Sequence, residues 1–271
     1  MFSRHGLIAV VLTCAACACF AADPVPALTA DQLAQATRSD AITIPTPGEL
    51  FAALSKPGKP DWPSAFREPI PMAYSNRAQI ALNLGGLVAD GFIAVEAQDT
   101  QQVKNIGADI IKLAKALGVS ENVLGRGKSI NEFAENNQWD ALQEELEATQ
   151  NEVKSSMQSN RDPDYIILVS LGGWIRGTQA VTGLLTHDYN EQTAKVLRQP
   201  ALVAYIRSKV NDISPELQSE PLVKNVSDRL AEVEKLVTFP GSGTPTADDV
   251  RKLNEAVSNL MSIIQNKAEA K

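Results

Sequence analysis

Two segments of the chain, residues 80–95 (IALNLGGLVADGFIAV) and 166–181 (IILVSLGGWIRGTQAV), are apolar on nearly every side yet carry a glycine pair and a charge. No other feature narrows the fold as much. Each segment approaches the length a membrane span requires. The first holds Asn83 and Asp90 in its body and the second holds Arg176. A charge at the centre of a bilayer costs about 2.5–3.5 kcal/mol on insertion scales. The two segments are therefore expected to be helices at the centre of a soluble bundle, roughly residues 75–97 and 164–186, buried on all sides.

A glycine inside a helix costs about 1 kcal/mol relative to alanine. Gly85, Gly86, Gly172 and Gly173 must return something for that cost. Close approach of two helix backbones is one return, and room for a ligand against the backbone is another. Cores use the first far more often. The two Leu-Gly-Gly copies are offset by 87 residues, and each is followed by an acidic residue, Asp99 or Asp188, and more helix. That pattern suits an internally duplicated helical hairpin, or two helices obeying one packing rule. Aligned on the glycines, Asp90 falls within one position of Arg176. If the helices cross there, the two charges can meet, since an unpaired buried charge costs several kcal/mol. Asn76, Gln79, Asn83 and Asp90 share a narrow face of the first helix, which would line a polar groove or face solvent. Asn83, Asp90 and Arg176 are the candidate binding residues.

Elsewhere the hydrophobic period is that of helices. Val103, Ile106, Ile110, Leu113 and Leu117 step by three and four before Gly118. Trp139, Leu142, Leu146, Val153 and Met157 repeat the stripe, as do Val223, Val226, Leu230, Val233 and Val237, and then Val250, Leu253, Val257, Leu260 and Ile264. Thr46-Pro-Gly-Glu49 and Ser129-Ile-Asn-Glu132 have the form of capping boxes. Pro200 and Pro215 suit first helical positions. The expected fold is an all-α helical bundle of about eight to nine helices. Five prolines between Pro57 and Pro71 exclude regular structure there and predict an extended strap pinned by Trp62 and Phe66. The Gly, Pro and Ser-rich linker before Thr246 sets off a last amphipathic helix, residues 246–268, free to pack on the bundle or to mediate self-association.

The N-terminus predicts export. Arg4 and His5 precede an apolar run from Leu7 to Phe20, and Cys19 and Ala21 offer the small residues a signal peptidase needs. Cleavage after Ala21 gives a periplasmic or extracellular protein. The competing lipoprotein reading lacks a well-formed lipid-attachment box around Cys14, Cys17 or Cys19. The domain plan is then a signal peptide (1–21), short helices and the strap (22–73), the core bundle (74–238) and the last helix (246–268).

Cleavage would remove all three cysteines and leave one histidine, His187. That excludes disulfides, thiolate chemistry and an ordinary zinc site. It would also leave 24 basic against 32 acidic residues, a net charge of −8, which repels nucleic acid and anionic bilayers. Gly125-Arg-Gly-Lys-Ser129 imitates the end of a phosphate loop, but Asn122 stands where the first glycine belongs and no strand precedes it. No G-x-S-x-G turn or calcium loop is present. No catalytic residue, metal or cofactor is assigned. The composition favours a non-enzymatic binding or scaffold protein of the cell envelope, its partner an envelope protein or a small ligand. The alternative is a carboxylate-based hydrolase or lyase between the glycine helices, using Asp90, Glu96 or Asp99 with Arg176.

Overall fold

The computed structural model describes Gly48, Phe51 and residues 60–119, 121–159, 162–239 and 243–266. The signal peptide, the Thr46 capping box, most of residues 22–59 and the end of the chain lie outside the described residues. The fold is all-α, and among the described residues there is no strand. The longer helices are α1 (Arg77–Glu96), α2 (Thr100–Leu117), α3 (Gly127–Glu135), α4 (Trp139–Ser159), α5 (Pro163–His187), α6 (Pro200–Asn211), α7 (Pro221–Thr238) and α8 (Ala247–Gln265). Single helical turns at Glu121–Leu124, Glu191–Ala194 and Pro215–Gln218 join them.

Helices α1 and α5 form the centre, and their composition explains why. Both are buried along almost their whole length, so neither needs a polar face. Among the described residues α1 is the one helix long and apolar enough to cross a membrane, and 94% of that window is buried inside the bundle. The two run in the same direction. Arg77, first in α1, pairs with Asp162 just before α5 and lies over the Tyr165 ring, while farther along Asp90 meets Arg176. Helices α2, α3 and α4 flank this pair, and α6, α7 and α8 complete the core with it. The chain leaving α5 enters a four-residue turn, not a long helix like α2. The two glycine helices therefore lead into unlike structure.

Local signals account for the helix ends. Asn76 accepts from the Gln79 amide at the start of α1, and Asp99 accepts from the Gln102 amide at the start of α2. Gly118 closes α2 with φ of 81°, which favours glycine. Thr246 and Asp249 form a reciprocal capping box on α8. The box expected at Ser129 is not formed. Helix α3 starts two residues earlier, so Ser129 lies within its first turn and donates to Arg126 O and Glu145.

The strap also differs from the extended form expected. Asp61 and Pro63 shape a single 3-10 turn at Trp62–Ala65, because proline suits the first positions of a helical turn. Trp62 is buried edge-on against Phe51, and Phe66 is half-buried. The last helix packs on the bundle: Val250, Leu253, Val257, Leu260 and Ile264 are fully buried, so its apolar stripe is used within the chain.

Candidate functional site

The glycines of α1 and α5 meet backbone to backbone. A Cβ placed on Gly85 would lie 1.9 Å from Val169 O and 2.6 Å from Gly173 N. One placed on Gly172 would lie 1.9 Å from Leu82 O. The contact is reciprocal, since each glycine rests on the carbonyl three residues before its counterpart. No side chain fits there. Gly86 serves another purpose. Its missing side chain leaves room for the Arg67 guanidinium, 3.2 Å from where a Cβ would stand, and for Met261.

Above the crossing, Asp90 holds two arginines. Arg176 Nε donates to Oδ1 at 2.7 Å, and Arg67 Nε donates to Oδ2 at 2.8 Å, with its Nη2 on the same oxygen. Arg176 also donates to Ala65 O at 2.6 Å and Gln179 Oε1 at 3.1 Å. The cluster thus ties the strap, α1 and α5 together. It carries one more positive than negative charge, and Arg67 Nη1 is buried without a partner. Burial holds the Arg67 guanidinium below its ordinary proton affinity; the attraction of Asp90 offsets this in part, and the repulsion of Arg176 adds to it. Asp90 and Arg176, paired in sequence by their distance from the glycines, are brought together. Arg67 escapes that count, because an arginine in a proline-rich strap has no periodicity to place it.

In the polar stripe of α1, Gln79 and Asn83 close the end of α8. Asn83 Nδ2 donates to Ile264 O at 2.9 Å and to Gln79 O, while Gln79 Nε2 donates to Ile264 O and Asn266 O. Asn76 donates to Glu220. The Gln79 and Asn83 amides satisfy carbonyls that a helix C-terminus leaves without partners. Asn83 is fully buried in this role, and Asp99 is engaged as the cap of α2. Both ion-pair partners of Asp90 are arginines. Among the described residues, no three His, Cys, Asp or Glu side chains gather as a metal site would require.

Open space lies on another side of α1. A cavity of about 390 Å³ is enclosed by α1, α2, α3, α4 and α5. Leu84, Phe92, Met157, Ile166 and Val169 are its buried floor, and Ala108, Gly125 and Lys128 stand exposed at its mouth. Gly107 and Gly91 of its wall are unlike Gly85: a Cβ on Gly107 would meet nothing within 4 Å, and one on Gly91 only ordinary contacts at 3.7 and 3.9 Å. Thr149 Oγ1 and Gln150 Oε1, both on lining residues of α4, are buried without partners. The volume falls within the range of small-molecule sites, about 300–1,000 Å³. The false phosphate loop forms part of this rim. The sequence signal for the cavity was slight: the Val103 to Leu117 stripe is not buried evenly, since Val103, Leu113 and Leu117 are covered while Ile106 and Ile110 are half-exposed.

Compared with known protein families, curated proteins and solved structures, the chain shows no significant match to any of them.

Proposed function

We propose that the protein is an exported, non-enzymatic binding protein that holds a small, largely apolar molecule in the α1–α5 cavity. The observation that carries this reading is the cavity itself: apolar walls on five helices, a buried floor and a mouth at solvent. Cores are ordinarily packed to crystal-like density, with few voids larger than a water molecule. A retained space of this size next to a crossing with no room for a methyl group has the form of a ligand site. The lining holds no His, Cys, Asp or Glu. Titration with the neutral fluorophore N-phenyl-1-naphthylamine tests the reading. Saturable enhancement is expected, and Gly107→Leu, which grows into the open space, abolishes it while far-UV circular dichroism stays unchanged. Equal enhancement in the variant and the parent would remove the cavity as the binding site.

A further inference from the structure

Charge within the cavity suggests what the apolar molecule carries at its other end. The whole chain has 32 acidic against 25 basic residues. The lining inverts this balance: it includes Lys104, Lys128 and Lys154 and no aspartate or glutamate. We infer that the cavity takes a single-chain amphiphile with an anionic head, a long-chain carboxylate being the simplest, its chain on the floor and its head at the lysines. This rests on the proposed binding function and narrows its ligand.

The lysines are placed for exchange. Lys104 pairs with Glu135 and Lys128 with Glu132, and both acids are exposed and stand outside the lining. Exposed pairs of this kind contribute little net stability, so a ligand carboxylate can recruit either ammonium group at small cost. The floor, by contrast, is hydrocarbon and aromatic, with no polar group from Leu84, Phe92, Met157, Ile166 or Val169.

The test is displacement of bound N-phenyl-1-naphthylamine by three chains of equal length: dodecanoate, dodecanol and dodecylammonium. Dodecanoate is expected to displace the dye at about tenfold lower concentration than dodecylammonium, the sum of a few weak ionic contacts, with dodecanol between. Replacing Lys104, Lys128 and Lys154 together by glutamine should erase that preference, each displacement being read against the variant's own dye affinity. Equal displacement by all three, with dye binding still lost in Gly107→Leu, overturns the anionic head and leaves the cavity as a binding site. A dye signal that Gly107→Leu does not alter overturns both. A dodecanoate preference that survives the triple substitution places the head elsewhere and overturns the assignment to the lysines.

Discussion

Helix α1 contacts two regions built on opposite uses of glycine. Toward α5, Gly85 removes a side chain so that another backbone can occupy its place. Toward α2, Gly91 and Gly107 remove side chains and no backbone follows: a Cβ on Gly91 would meet only the Ile110 and Ile106 side chains at ordinary distances, and one on Gly107 nothing within 4 Å. The residue is the same and the helix interior penalty is the same, about 1 kcal/mol. What differs is whether the neighbour follows. At the crossing the two glycine sets are reciprocal and a three-member charge cluster holds the helices together. Around the cavity, the walls are held apart by packing at their ends: Val95, Val103, Ala134 and Leu142 form a small second core beside it. A glycine thus marks close approach only where a partner of matching shape lies opposite.

The most severe way to break this comparison is to add one methyl group to each kind of glycine. Gly85→Ala or Gly172→Ala sets a carbon on a carbonyl oxygen, and α1 and α5 must separate by more than an ångström. A loss of about 4 kcal/mol is expected, exceptional for so small a change. For a domain of this size that lowers Tm by roughly 10 °C. Gly91→Ala in the same helix should be neutral or stabilising. Thermal unfolding followed at 222 nm compares them directly; a Gly85→Ala shift no larger than that of Gly91→Ala would contradict the close crossing.

Next in size is the charge cluster. Arg176→Met leaves Asp90 with Arg67 alone and strips Ala65 O and Gln179 of their donor. Removing one member of a buried pair costs about 3–5 kcal/mol. Asp90→Asn should cost as much, since two guanidinium groups then face each other without an intervening negative charge. In the double variant Asp90→Asn with Arg176→Met, the loss should fall short of the sum of the single losses by at least about 1 kcal/mol, because residues in one network are not additive. Strict additivity in urea unfolding would mean that the cluster does not act as a unit.

What was legible in the sequence follows the same division. Helical period, caps and the all-apolar character of residues 80–95 and 166–181 placed the central pair, because burial on every side is written into composition. The juxtaposition of Asp90 and Arg176 was legible because both are counted from glycines that touch. Arg67 was not, since the course of an irregular strap depends on tertiary contacts that no local pattern encodes. Neither was the destination of Gln79 and Asn83: a polar stripe on a buried helix signals that partners exist, without saying that they are the carbonyls at the end of α8. The cavity was hidden for a simpler reason. Gly107, Ile106 and Ile110 read as an ordinary helix, and an empty space has no residues of its own. A modest substitution sharpens that point. Gly107→Ala should raise stability by about 0.5–1 kcal/mol, the helix propensity difference with no steric term opposing it. A measured loss in chemical denaturation would show that the space beside Gly107 is closed.

The smallest expected effect concerns the strap, and it asks whether residues 60–76 belong to the sealed region. Tyr74 lies between Arg67 and the end of α8, where its hydroxyl is 3.5 Å from Gln265 O. Burial pushes its phenol up to about 12, against the opposing attraction of Arg67. A proton held more tightly in the folded chain contributes stability that is fully present below pH 10, the ordinary value, and is lost as pH rises toward 12. Two units would correspond to about 2.7 kcal/mol for a sealed group. Tyr74 is only half-buried and solvent screens it, so a contribution below about 1 kcal/mol is expected. Tyr74→Phe removes the titrating hydroxyl and leaves the ring. Other groups ionise in this window too, so the informative quantity is the difference between parent and variant in urea midpoint at pH 9 and pH 11.5. The parent should lose more stability over that interval than Tyr74→Phe does. Identical losses would mean that water reaches Tyr74 freely, and that the sealed region ends at Arg67 without extending along the strap to α8.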